Sequence, residues 1–84
     1  MNTISWTRKA VKQLLKLHTF HQVQIRDAVT QLGRMPDVTN VKALARHDYE
    51  YRLRVGNYRV LFDWDGVVKI VSIQEVKKRD ERTY

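Results

Sequence analysis

Residues 51–62 read YRLRVGNYRVLF, with two alternating runs of apolar and polar side chains on either side of Gly56-Asn57. Gly-Asn is a favoured pair for the two-residue turn of a β-hairpin. A turn at this pair places Val55 opposite Tyr58 and Arg54 opposite Arg59. It also gathers one apolar face, which we expect to be buried under helices, made of Tyr51, Leu53, Val60 and Phe62.

The alternation extends in both directions from this hairpin. It begins at Tyr49, and a third run from Val67 to Val76 follows a second turn pair, Asp65-Gly66. These three runs predict an antiparallel meander in which Val71 and Ile73 join the buried face. The register predicts that the opposite face, called the open face below, holds Ser72 beside Arg59 and three apolar side chains, Leu61, Val68 and Ile70.

The residues before the meander predict one strand and two helices. Thr3–Trp6 is short, β-branched and aromatic, as strands often are. Ser5 or Thr7 can cap a first helix that runs to about His18, and Thr19 can cap a second that ends near Gly33. Helical spacing assigns the buried stripes to Val11, Leu14, Leu15 and His18, and to Ile25, Ala28, Val29 and Leu32. The predicted fold is α+β in the order β-α-α-β-β-β, with a helical hairpin packed on a small, mostly antiparallel sheet.

Length and composition restrict the function. The chain has 84 residues and a net charge of +7, which fits one domain over residues 1–84 and favours nucleic acid or an acidic protein as partner. It has no cysteine, no glycine-rich phosphate loop and only scattered histidines, so we expect no disulfide, metal or cofactor. We expect neither a signal peptide nor a membrane span, and a cytoplasmic location.

The open face carries an unusual concentration of charge, formed by Glu50, Arg52, Arg54 and Arg59. Arginines directly opposite each other on neighbouring strands repel. Two interpretations remain open. The arginines lie apart in water with Glu50 and Asp63 as neutralising partners, or they form an anion site, since guanidinium groups match phosphate oxygens.

The segment Arg54–Phe62 resembles the R-x-G-x-Y-R hairpin of the RelE/ParE toxin superfamily. Residues 41–44 are similar to that group's lead-in to the meander, and residues 73–84 to its RelE-type ending with a basic residue and a late tyrosine. The resemblance implies a RelE-like fold and the toxin component of a type II toxin–antitoxin module. RelE-like members cut translated mRNA in the ribosomal A site, whereas ParE-like members inhibit DNA gyrase.

Carried over by position, the resemblance implies a metal-free RNase site in which a 2′-OH attacks the adjacent phosphate. Arg59 and Arg79 would stabilise charge on the phosphate, as could Arg52, and Glu50 is the candidate base where a relative can carry lysine. Tyr84, matched with a gap of about one residue, would be the acid or a stacking residue. Further basic side chains are expected to bind RNA: Arg46, Arg54, Lys77, Lys78 and Arg82.

The implied partners are a cognate antitoxin, mRNA with ribosomal RNA, and operator DNA through the toxin–antitoxin complex. Because the chain is basic and its open face partly apolar, we expect an acidic, amphipathic antitoxin segment to cover that face. Two other functions remain open: gyrase inhibition without chemistry, and an inactive or purely nucleic-acid-binding domain.

Overall fold

The computed structural model describes residues 1–78, which form a five-stranded sheet and two α-helices. In chain order the elements are β1 (Thr3–Trp6), α1 (Arg8–Leu15), α2 (Thr19–Thr30), a 3-10 turn (Gln31–Arg34), β2 (Val41–Ala43), β3 (Tyr51–Val55), β4 (Tyr58–Asp65) and β5 (Ile70–Lys78). The sheet order is β1-β5-β4-β3-β2, with β1 parallel to β5 and the other neighbours antiparallel. The predicted α+β class is confirmed, and β2 is a strand beyond the predicted order. Within residues 1–78 neither helix is long and apolar enough to cross a membrane.

The hairpin of β3 and β4 has the predicted register. Val55 faces Tyr58, Arg54 faces Arg59 and Leu53 faces Val60. Gly56 adopts a φ of 55°, a left-handed conformation that glycine reaches without the steric cost of a side chain. The turn residues therefore fix which side chains enter the core.

The second hairpin differs from the prediction. Its loop is four residues long, and β5 starts at Ile70 rather than Val67. The cause is Asp65, whose Oδ1 accepts hydrogen bonds from the N–H groups of Val67 and Val68, at 2.9 and 3.1 Å. Val68 consequently lies in the turn instead of on the open face.

A register shift between Leu61 and Phe62 changes the pairing of β5 further. Phe62 faces Ile73 while Leu61 faces Glu75, so Gln74 is an extra residue, as in a β-bulge. Ser72 faces Asp63 because the loop is four residues long, and the bulge then brings Lys77 opposite Arg59. The prediction that Ser72 lies beside Arg59 was wrong.

The core lies between the helices and the predicted face of the sheet. Val60, Phe62, Val71 and Ile73 are fully buried there, and Tyr51 stacks on Phe62. Tyr49, where the alternation was predicted to begin, instead lies half-buried in the bend before β3.

Helix α1 turns a different side to the sheet than its sequence predicts. Ala10 and Leu14 are buried, whereas Val11 is 36% exposed and Leu15 is 63% exposed. The helix lies along β5 beyond the end of β1, where Gln13 Oε1 accepts the backbone N–H of Val76 at 2.7 Å. The hydrogen bond to this strand edge, rather than the stripe of apolar residues at helical spacing, sets the rotation of α1 about its axis.

The helix caps follow the sequence in part. Thr7 caps α1, its Oγ1 accepting the N–H of Ala10. In α2 the cap is His18, whose Nδ1 accepts the N–H of Phe20, while Thr19 is already helical. The predicted buried stripe of α2 is confirmed, with Ile25, Val29 and Leu32 buried and Ala28 packed against them.

Candidate nucleic-acid interface

One end of the open face is rich in cationic side chains. Arg54, Arg59 and Lys77 face one another across three neighbouring strands. Lys42 on β2 faces Arg52 on β3, two residues along that strand from Arg54. We call these residues the cationic cluster: Lys42, Arg52, Arg54, Arg59 and Lys77.

The cluster is partly shielded from water. Arg52 and Arg59 are half-buried, whereas Lys42, Arg54 and Lys77 are exposed. The Nε of Arg52 is buried and has no hydrogen-bond partner among the described residues. Half-buried guanidinium groups attract an anion more strongly than fully solvated ones, because less water screens their charge. The arrangement can therefore bind and neutralise phosphate groups.

The other end of the open face is acidic, and its carboxylates accept hydrogen bonds from backbone N–H groups. Glu50 donates its N–H to Asp63 Oδ1 at 2.8 Å, and Glu50 Oε1 accepts the N–H of Trp64 at 3.0 Å. Asp65 lines the same shallow pocket. In one of the two interpretations that the sequence left open, Glu50 and Asp63 neutralise the arginines. Between described residues, however, the ion pairs all involve Glu75.

Glu50 is consequently distant from part of the cluster. It lies next to Asp63 on β4, four residues from Arg59, or about 13 Å at the rise of a strand. Along β3 it is two residues from Arg52, or about 7 Å. Of the two described candidates for charge stabilisation, Arg52 and Arg59, Arg52 is therefore the nearer to Glu50.

Glu75 is a buried carboxylate at the edge of the cluster. It is 7% exposed, lies on the open face opposite Leu61, and forms ion pairs with Lys9 at 2.7 Å and Lys77 at 3.6 Å. Burial alone would raise its pKa, but the hydrogen bond from Lys9 and the charges of Lys77 and Lys9 outweigh burial, so the pKa of Glu75 is lowered. Its carboxylate therefore remains charged close to the cations.

The other predicted site residues are distributed around the cluster. Arg46 is exposed in the bend before β3. Lys78 faces Tyr58, a core residue, so it lies on the helix side of the sheet and away from Lys77. Arg79, Arg82 and Tyr84 lie outside the described residues.

Sequence reasoning missed three residues near the site: Lys9, Lys42 and Glu75. Period-two alternation on β2 could have found Lys42, had that strand been predicted. Lys9 and Glu75 had no comparable signal, because their proximity depends on the bulge at Gln74 and on how α1 lies along β5. Within residues 1–78, no group of three or more potential ligand side chains is arranged to hold a metal ion.

Comparison with known proteins agrees with this architecture. The model of the ParE toxin of the type II toxin–antitoxin system parDE matches residues 4–82. No curated protein matches the sequence.

Solved structures match over nearly the whole chain. A chain of the toxin–antitoxin complex RelBE2 from Mycobacterium tuberculosis is 27% identical, with a TM-score of 0.79, covering 93% of this chain and 98% of that one. A chain of the archaeal RelE–RelB complex from Pyrococcus horikoshii is 24% identical, with a TM-score of 0.79 and coverages of 95% and 97%. The isolated RelE toxin of E. coli is 16% identical, with a TM-score of 0.79 and coverages of 96% and 87%, which shows a shared fold.

The match of the family model to residues 4–82, together with the shared fold, shows that this chain belongs to the RelE/ParE superfamily of type II toxins.

Proposed function

We propose that this toxin is a ribosome-dependent endoribonuclease that cleaves translated mRNA and thereby inhibits translation. The observation that carries the proposal is the cationic cluster. Arg54, Arg59 and Lys77 face one another across three neighbouring strands, and like charges directly opposite each other repel. A fold retains such a local conflict more readily where it serves binding or chemistry.

The proposed reaction is metal-free attack of a ribose 2′-OH on the adjacent phosphate. A new P–O bond forms, and the bond to the 5′-oxygen breaks as that oxygen takes up a proton. Arg52 and Arg59 stabilise the negative charge that builds on the phosphate. Arg79 adds to this charge stabilisation, and Tyr84 donates the proton or stacks on the base, as the resemblance implies.

The base that removes the 2′-OH proton is not one of the arginines, because arginine stays protonated. We propose Glu50, whose exposed carboxylate lies on the open face beside Arg52. The scissile phosphate would then lie nearer to Arg52 than to the Arg54–Arg59–Lys77 row. Arg46, Arg54, Lys77 and Arg82 would bind the flanking phosphates and ribosomal RNA, whereas Lys78 lies on the helix side of the sheet and is left out of this site.

The proposed partners follow from the family and the charge. An acidic antitoxin segment covers the cationic cluster and excludes RNA, and the complex binds operator DNA. The solved complexes named above contain RelB-type partners, which supports an antitoxin for this chain. A target on translating ribosomes requires the cytoplasm.

The test is inducible expression in a bacterium with mapping of mRNA 5′ ends. We expect new cuts within translated messages, lost in an Arg59→Ala/Tyr84→Ala double variant. Arg26→Ala is the matched control, since Arg26 is exposed on α2, away from the open face. Growth arrest with intact messages would refute the nuclease proposal.

A second candidate function is gyrase inhibition, which the match to the ParE toxin model favours. It predicts that Glu50 and Tyr84 can be replaced without loss of toxicity. A supercoiling assay with purified gyrase separates the two candidates. Inhibition by wild type and by a Glu50→Gln/Tyr84→Phe variant alike would establish this alternative.

A further inference from the structure

Lys9 belongs to α1, yet its ammonium group lies on the open face. Its Nζ is 2.7 Å from Glu75 Oε1, and the other oxygen of that carboxylate is 3.6 Å from Lys77 Nζ. Lys77 in turn faces Arg59. Lys9 is therefore separated from the cationic cluster by a single carboxylate.

Lys9 also completes a row across the sheet. Arg52 faces Leu61, and Leu61 faces Glu75, which holds Lys9. Leu61 is 5% exposed but is outside the hydrophobic core cluster. The buried side chain of Leu61 is thus flanked by two cations, Arg52 on one side and Lys9 on the other.

Exposure differs sharply within the ion-pair triad. The Glu75 side chain is 9% exposed, whereas those of Lys9 and Lys77 are 59% and 54% exposed. The carboxylate is thus covered while both ammonium groups reach water. An ammonium group has three donors, so pairing with Glu75 leaves Lys9 with donors for a second anion.

We propose that Lys9 is a further phosphate-binding residue of the RNA site and that Glu75 is the positioning residue that holds it there. This inference rests on the proposed nuclease function, because it assigns a residue to the same site. Glu75 offsets the repulsion between Lys9 and Lys77, which lets two ammonium groups occupy neighbouring positions. Phosphates of the bound strand contact Lys9 on the β5 side of Leu61 and Arg52 on the β3 side.

Lys12 offers a matched control on the same helix. It is exposed, and helical periodicity points it away from the sheet that Ala10 and Leu14 contact. Lys9→Met and Lys12→Met both lower the net charge from +7 to +6. Any difference between them therefore reports position rather than total charge.

The experiment measures binding of a fluorescent single-stranded RNA oligonucleotide by anisotropy over a range of salt concentrations. Each phosphate contact to a single strand contributes about 0.7 to the slope of log affinity against log salt. We expect Lys9→Met to reduce the slope by about that amount, Lys12→Met to leave it unchanged, and Lys9→Arg to restore it. Equal slopes for the two methionine variants, or a Lys9→Arg variant as poor as Lys9→Met, would overturn the proposal.

Glu75→Gln tests the positioning role. We expect Lys9→Met to change the slope by less than half as much in this background as in the wild type, because Lys9 has then lost its anchor. An undiminished effect of Lys9→Met would show that Glu75 does not position Lys9. Thermal unfolding of each variant confirms that the slopes compare folded proteins.

An assay of mRNA cleavage on purified translating ribosomes separates failure of this inference from failure of the proposed function. A wild-type protein that neither cleaves there nor binds RNA refutes the proposed function and this inference with it. A wild-type protein that cleaves, with equal slopes for Lys9→Met and Lys12→Met, refutes only the role of Lys9.

Discussion

Replacing Arg54 by glutamine should make the folded protein more stable while weakening its binding to RNA. Arg54 is exposed, faces Arg59 across β3 and β4, and has no acidic partner among the described residues. On the other side of Arg59, Lys77 of β5 continues the row. The substitution removes one charge from a row of three while keeping a side chain of similar length.

The magnitude follows from Coulomb's law in water. Two unit charges about 7 Å apart, a reasonable separation for Arg54 and Arg59, repel by about 0.6 kcal/mol at the dielectric constant of water. Lys77 is two strand spacings from Arg54, about 10 Å, and adds about 0.4 kcal/mol. The gain is therefore about 1 kcal/mol at low salt, at the upper end of the values typical of cross-strand charge pairs.

Salt gives the experiment its internal control. The Debye length is about 30 Å at 0.01 M salt and about 3 Å at 1 M, so the gain should be almost abolished at the higher concentration. Urea unfolding of wild type and Arg54→Gln at both concentrations measures it. Arg26→Gln on α2 makes the same change in net charge without a cationic partner facing it across a strand pair.

Three results would refute this reasoning. Arg54→Gln could lower stability at low salt, its gain could persist unchanged at 1 M salt, or Arg26→Gln could gain as much. The first would mean that Arg54 makes a net favourable contact, and the other two that the gain does not come from repulsion across the strands.

Further predictions concern the supports of the site. The pKa of Glu75 is lowered on folding, so ionised Glu75 stabilises the folded protein above the ordinary value of 4.5. This stabilisation is lost as pH falls through the folded pKa. In acid unfolding, Glu75→Gln should therefore lose less stability than wild type over that pH range. Gly56→Ala should cost about 1–2 kcal/mol in urea unfolding, because alanine is strained at a φ of 55°, and a cost near zero would show that the turn relaxes. Asn2 accepts the indole N–H of Trp64 at 3.0 Å and donates to the carbonyls of Gly33 and Met35; Asn2→Ala should therefore cost about 1–3 kcal/mol and change tryptophan fluorescence, whereas unchanged emission would contradict this role.

Local signals in the sequence predicted the centre of the fold correctly. Gly56-Asn57 fixes the β3–β4 register, and period-two alternation then identifies the buried side chains of the sheet. The apolar stripe of α2 was also predictable, because that helix packs on the sheet through one continuous face. Where one short-range feature decides the structure, reading the residues is sufficient.

The errors arose where a contact distant in sequence decides the outcome. Val11 and Leu15 have the spacing of a buried stripe, but pairing of Gln13 with β5 rotates them outward. The register of β5 depends on the turn cap formed by Asp65 and on the extra residue Gln74. Neither event has an unambiguous sequence signature.

The same distinction applies to the candidate site: residues within one hairpin could be predicted, and residues brought in by distant contacts could not. Arg52, Arg54 and Arg59 were placed together because they belong to the β3–β4 hairpin. Lys77 joined them through the longer loop together with the bulge, and the longer loop alone had separated Ser72 from Arg59. Glu75 could not be predicted, because a carboxylate in a strand is buried only when other elements cover it and supply cations.

The position of α1 has a consequence for the behaviour of the free protein. β5 is nine residues long, but β1 pairs with only its first four. An open strand edge is a template for intermolecular pairing and aggregation. Gln13 and Thr7 bind the backbone of the remaining part of β5, and the opposite edge of the sheet, β2, is three residues long. Within residues 1–78 the sheet therefore presents little edge on which another molecule could add a strand, which disfavours association through strand pairing when no partner covers the sheet.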